Sequence, residues 1–222
     1  MITYTNIQRH DNLDFDQYLK LPGYSHSFLK SNVNGVRKHF DVTENVRVGA
    51  IVDGILTDPT RVDMSDPLYP ECKALAHELM KVYGDAINLF EKQVSYTATM
   101  EMQGLSMPVT GRLDFLLPGH AVIDLKVTFA TEVDALIDFM GYGNQLWHYC
   151  RMAKVPKAYL MICQVKKKKL PNGKLINNPK IFLKEVDVSN DTNSFWISKL
   201  LDFGNATGSD VDGNKLIPGL IF

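Results

Sequence analysis

Two short apolar segments joined by a turn signal do most to constrain what this chain can fold into. The first ends in Gly111-Arg112-Leu113-Asp114, the second is Val122-Ile123-Asp124-Leu125-Lys126-Val127-Thr128, and Pro118-Gly119-His120 lies between them. Successive side chains on a strand point to opposite faces, so Asp124, Lys126 and Thr128 share one face while Ile123, Leu125 and Val127 share the other. The apolar set can turn inward and the charged set toward a cleft. Thr110, Arg112 and Asp114 likewise share a face of the preceding strand, and the proline-glycine turn predicts that the two strands form a hairpin.

A hairpin register that sets Asp114 beside Asp124 would place two carboxylates within reach of one hard divalent cation, which prefers oxygen ligands. Magnesium, or manganese in its place, could polarise a phosphoryl oxygen and lower the pKa of a bound water, with Lys126 positioning that water or offsetting charge on the phosphate. The same residue types at an edge strand would make only a surface salt bridge. Further on, Gly141 and Gly143 break a helical segment, and Asn144 is a candidate N-cap for the helix that follows. Gln145 and Tyr149 fall four residues apart on it, with His148 nearby, so an amide and a phenol could face the same cleft. An ordinary amphipathic helix would account for the spacing equally well.

Gly111-x-x-Asp114, Ile123-Asp124-Leu125-Lys126 and Gln145-x-x-x-Tyr149 together resemble the motifs of PD-(D/E)XK nucleases. The branch they resemble is the lambda-type and exonuclease VIII-type one, which includes the nuclease domains of recombination helicase complexes. The resemblance implies an α/β, restriction-endonuclease-like core: a central mixed sheet flanked by helices, with an N-terminal helical elaboration. It implies that Asp114, Asp124 and the Leu125 carbonyl ligate magnesium, that Lys126 serves the attacking water, and that Gln145 and Tyr149 orient the site and the DNA phosphates. Glu91 sits where relatives often carry a glutamate facing the metal; a surface acid at a helix end is the alternative. Val48-Gly49-Ala50-Ile51-Val52-Asp53-Gly54 resembles the family's Gly-x-x-x-His element, with Asp53 in place of histidine, either as a ligand or as a solvent-facing acid. Ser25 opens a segment like the family's first helix and is a good N-cap. The activity implied is a metal-dependent deoxyribonuclease, an exonuclease of recombination, repair or phage DNA metabolism. A single-strand or nicking endonuclease and a DNA-binding module without catalysis are the alternatives. DNA is the implied partner, with a homo-oligomer and a single-strand annealing protein as further partners of this branch.

At 222 residues and 45% hydrophobic, the chain is long enough for one domain with a sizeable core. The expected organisation is a mostly helical part over 1–90, a catalytic α/β core over 91–190, and a helix and tail over 191–222. Helices are expected within 24–60, over 69–90 and over 191–203, and strands near 94–100, 105–117, 121–129, 157–168 and 180–188. No apolar run reaches membrane-span length and no signal-peptide pattern opens the chain, so the expected location is the cytoplasm. Three cysteines, Cys72, Cys150 and Cys163, are too few and too scattered for an iron-sulfur site or a disulfide framework. No Walker A pattern occurs, so ATP is not expected. With a net charge of −1, any DNA affinity must come from a local patch. Lys166, Lys167 and Lys168, leading into the turn Pro171-Asn172-Gly173-Lys174, are one such patch or a solvated strand end. Arg112, Thr128 and His148 are further candidates for DNA contact.

Overall fold

The alternating segments between 91 and 128 form the middle of a sheet in the computed structural model, which describes residues 1–33, 36–37, 43–169, 175–190 and 193–206. In chain order the elements are β1 (Thr3–His10), α1 (Phe15–Leu19), α2 (His26–Ser31), the two-residue strands β2 (Asn32–Val33) and β3 (Val36–Arg37), and α3 (Glu44–Thr57). After a 3-10 turn (Pro59–Arg61) come α4 (Tyr69–Asn88), β4 (Glu91–Met102), β5 (Leu105–Leu117), β6 (Ala121–Thr128), α5 (Val133–Met140), α6 (Tyr142–Ala153), β7 (Lys157–Lys169), β8 (Leu175–Val186) and α7 (Ser194–Ala206).

The main sheet runs β1-β4-β5-β6-β7-β8. Only β6 and β7 pair in parallel; the other neighbours are antiparallel. A parallel pair needs a long crossover, and α5 and α6 supply it. This is the expected α/β arrangement, a mixed central sheet with helices on both faces.

One face is covered by α3 and α4. Val48, Val52 and Leu56 recur every fourth residue, so α3 presents one apolar stripe, buried with Leu75, Leu79 and Ile87 of α4 against Phe115, Ile123 and Leu125. Thr43 caps α3 by accepting the Val46 amide. On the other face, Leu146, Met152, Trp196 and Leu200 bury against Leu113, Val122, Leu160 and Ile162. Gly111 permits that approach: a Cβ there would lie 2.4 Å from Met152 Cε and 2.8 Å from Tyr149 Cε1. All three cysteines are buried, and none forms a disulfide.

One element was not expected and one expectation needs correction. Ahead of the helices within 1–90, β1 is an outer strand on β4, with Thr3 opposite Glu101 and His10 opposite Ser95. Its alternation is masked by a register shift between Thr5 and Gln8, where Asn6 takes a φ of 50°, and by the half-exposed setting of a sheet edge. Asn144 is not the cap of α6. Gly141 takes that position in a left-handed conformation, and Asn144 instead accepts bonds from Asn193 and, at its carbonyl, from the Trp196 indole at 2.9 Å.

Candidate active site

The β5–β6 ladder runs from Leu117 opposite Ala121 to Phe115 opposite Ile123 and then ends. Beyond that point β5 continues along β4 while β6 continues along β7. One more step of the same register would set Asp114 opposite Asp124. Instead the strands part, and Asp114 Oδ2 accepts the Leu125 amide at 2.8 Å, replacing with its side chain the backbone acceptor that β5 has withdrawn. The site lies in this opening.

The Asp124 side chain is 3% exposed, and its Oδ2 has no aligned hydrogen bond, yet lies 2.6 Å from Lys126 Nζ. Burial alone would lower the Lys126 ammonium, but Asp124 and Asp114 outweigh it and hold the group above its ordinary range. The ammonium also sits 4.7 Å from the centre of the Tyr142 ring. From α3, Asp53 reaches the same space. Burial raises its carboxyl, with the Asp124 charge adding and Arg61 and Lys126 opposing. Asp114 is raised well above the carboxylate range, first by burial and then by Asp53 and Asp124. Asp53, Asp114 and Asp124 thus share one half-buried space with the Lys126 ammonium, and the neighbouring negative charge disfavours ionisation of Asp53 and Asp114.

The i, i+4 pair on α6 meets as the spacing predicts: Gln145 donates through Nε2 to Tyr149 Oη at 2.8 Å. Burial, with Tyr18, Asp124 and Asp114 adding, pushes the Tyr149 phenol far above its normal range, so it stays a proton donor beside the carboxylates.

Other candidates lie elsewhere. Glu91 is turned toward β1, where its carboxylate holds Arg9 at 2.7 Å. The β4 side chain that faces the cluster is Gln93, whose φ of 54° breaks the strand's alternation. His148 is wholly buried, 2.7 Å from Tyr4 Oη and 3.3 Å from the Thr110 carbonyl, and stacked on Trp196 with ring centres 4.3 Å apart. Burial lowers its pKa to about 3, so it is a neutral core residue and not a DNA contact. Arg112 is buried too, donating to Gln93 Oε1 and to the Asp14 carbonyl beneath Phe15 and Tyr18, which corrects its assignment to DNA. Thr128 is half-buried, and its hydroxyl accepts the Ala130 amide. Lys166 is exposed, and Lys167 pairs with Glu71 at 3.0 Å. The Lys168 side chain and the turn at 171–174 lie outside the described residues.

Four residues near the cluster escaped sequence reasoning: Gln93, Tyr142, His26 and Lys30. Lys30 donates to the Met140 carbonyl at 2.7 Å. His26 is 4% exposed with an unpartnered Nε2, and burial, then Lys30 and Lys126, lower it to about 4. Ser25 does cap α2, accepting the Phe28 amide.

Among the described residues, no three His, Cys, Asp or Glu side chains converge closely enough to hold a metal ion between them. The donor chemistry still suits a hard cation, because it offers crowded carboxylate oxygens, one without a hydrogen bond. Magnesium characteristically takes only one or two carboxylates and completes its shell with water and phosphate oxygens. No helix among the described residues is long and apolar enough to cross a membrane.

No protein-family model matches the sequence, and a search of curated proteins found no match. Solved structures with a similar arrangement include SSO0001, at 16% identity over 74% of this chain and 76% of that one, with a TM-score of 0.40. A protein named as an exonuclease from Eubacterium rectale shares 15% identity over 74% of this chain, which spans 65% of its length, just under two thirds, with a TM-score of 0.45. A phage-related exonuclease from Haemophilus somnus 129PT shares 14% over 83% of this chain and 89% of its own, with a TM-score of 0.36. Scores of this size describe a loosely similar layout of strands and helices and transfer neither site residues nor activity.

Proposed function

We propose that this chain is a magnesium-dependent deoxyribonuclease, acting as an exonuclease of the lambda-type and exonuclease VIII-type branch. The observation that carries the reading is the meeting of Asp114, Asp124 and Lys126 where the β5–β6 hairpin opens, with Asp53 and the Gln145–Tyr149 pair closing round them. A divalent cation, when bound, supplies Lewis-acid polarisation of water and of a phosphoryl oxygen. Asp114, Asp124 and the Leu125 carbonyl are the groups that would hold it, with Asp53 reaching it directly or through water. Lys126, kept protonated by its carboxylate neighbours, orients the attacking water or offsets charge on the phosphate. Tyr149, fixed by Gln145, offers a phenolic proton to a phosphate oxygen. Water adds to phosphorus in line, the bond to the 3′ oxygen breaks, and a 5′ phosphate and 3′ hydroxyl result.

The test is incubation of linear and closed-circular DNA, single- and double-stranded, with magnesium or chelator, alongside Lys126→Ala. The expected result is loss of linear DNA with magnesium only, and a reduction of roughly 100-fold or more per folded molecule in the variant, whose melting temperature should fall because Asp124 and Asp114 lose their counter-charge. Cutting of closed circles would replace the exonuclease reading with an endonuclease. Undiminished cleavage by the variant would sink the mechanism. DNA binding without any cleavage, equal in magnesium and chelator, would leave a binding module.

A further inference from the structure

We infer that Gln93 is a positioning residue of this site, holding Asp53 in place through a hydrogen-bond chain that starts at Arg112. The inference rests on the metal-dependent reading above and adds a residue that no motif contains. Gln93 is buried, 8% exposed, and sits between the ladder pairs Lys92–Phe115 and Val94–Leu113 with a φ of 54°. Residues other than glycine rarely adopt that conformation, and in the middle of a strand it persists only where the surroundings fix it.

The surroundings do fix it. Arg112 carries donors only, so its Nε must meet the amide oxygen of Gln93, and this settles which way the amide points. The NH₂ end then faces Thr57 Oγ1 at 2.9 Å and Asp53 Oδ1 at 3.4 Å. Thr57 donates to the Asp53 carbonyl at 2.8 Å and approaches Oδ1 at 3.3 Å. Both side-chain contacts go to the same carboxylate oxygen, and among the described residues no hydrogen bond goes to Oδ2. Asp53 is therefore gripped by one oxygen and leaves the other for a ligand. A glutamate at position 93 would satisfy Arg112 equally but would set an acceptor against Asp53 and add a fourth carboxylate to an already crowded space. The neutral amide is the side chain that can accept from the arginine and donate to the aspartate at once.

The experiment is titration with Mn²⁺ in the absence of DNA, following free Mn²⁺ by electron paramagnetic resonance, for the wild type, Gln93→Met and Thr57→Val. Methionine keeps the length of glutamine and removes both its donor and the oxygen that accepts from Arg112; valine keeps the shape of threonine and removes the hydroxyl. Partners of this kind usually change metal affinity by tenfold or more, so folded Gln93→Met should bind Mn²⁺ about tenfold more weakly, with a lower melting temperature because Arg112 loses an acceptor. Thr57→Val should shift affinity in the same direction by less, and decides the matter if Gln93→Met does not fold. Folded variants that bind Mn²⁺ within about twofold of a wild type that binds it would overturn the inference alone. A wild type that binds no Mn²⁺ would overturn the metal-dependent reading and this inference with it.

Discussion

His148 and Tyr149 are neighbours on α6 yet belong to polar clusters of opposite character. The His148 cluster is dry and satisfied: each ring nitrogen has a partner, and the ring stacks on a tryptophan that is itself fully buried. The cluster beside Tyr149 is half-buried and crowded with like charge: Asp53, Asp114 and Asp124 share the Lys126 ammonium, and Asp124 Oδ2 is held by that ion pair without an aligned hydrogen bond. Buried polar groups left in conflict cost stability. A fold keeps such a group where binding or chemistry requires it, so the contrast separates a candidate active centre from a structural network one helical residue away.

The largest test of that contrast is His148→Ala. It opens a cavity under Trp196 and takes the partner from the hydroxyl of the half-buried Tyr4, so it should cost about 3 kcal/mol in denaturant unfolding. Cleavage per folded molecule should stay within a few-fold of the wild type. A variant that folds normally but does not cut would move His148 into the active site. The pH dependence sharpens the point. The unfolded chain protonates its histidine near 6.5, whereas the buried His148 resists until about 3. Between those values the unfolded state binds more protons, so wild-type stability should fall as pH drops below 6.5, by up to about 1.4 kcal/mol per unit from this residue. His26, lowered to about 4, adds to the upper part of the same window. His148→Gln should flatten the decline measured between pH 4.5 and 7.

A smaller effect, of opposite sign, is expected at the carboxylate cluster. Burial, then Asp53 and Asp124, raise Asp114 above its unfolded value. Its contribution to stability is complete below the unfolded pKa and is lost as pH rises through the folded one. At neutral pH its charge therefore opposes folding. Asp114→Asn keeps an oxygen for the Leu125 amide and removes the charge, so its melting temperature at pH 7 should rise, by about 2–4 °C if the gain is about 1 kcal/mol. Cleavage should be lost. A lower melting temperature would mean that the Asp114 carboxylate gains more from the Leu125 amide and Lys126 than it loses to burial and to Asp53 and Asp124.

Much of this was legible in the sequence because it is local. The hairpin, the face shared by Asp124 and Lys126, and the Gln145–Tyr149 pair follow from strand and helix periodicity within a few residues. Glu91 was a candidate by resemblance, as an acid at a helix end, but it opens β4, and Gln93 two residues on carries the side chain that meets Asp53. The left-handed conformation of Gln93 breaks the alternation there, and nothing in the sequence announces it. Arg112 and His148 carry the residue types of nucleic-acid contacts. Their partners, Asp14 and Phe15 for one, Tyr4 and Trp196 for the other, come from segments far away in the chain, so their burial is a tertiary fact. The weak alternation of β1 concealed one of those segments.

The smallest effect concerns two lysines that the sequence presents as equivalents. Both Lys166 and Lys167 are exposed on β7, but Lys167 is engaged by Glu71, which Asn177 also holds, while Lys166 has no ion pair among the described residues. If this strand end lies along the path of DNA, Lys166 is the better placed to displace a counterion from phosphate. Lys166→Ala should then reduce the slope of log affinity against log salt by about 0.9, while Lys167→Ala should change it less, since its charge is already matched. The rate at saturating DNA should change in neither. Equal loss of slope in both would mean that Glu71 releases Lys167 when DNA arrives. No loss in either would take β7 off the DNA path and leave the groups around the β5–β6 opening to hold the substrate.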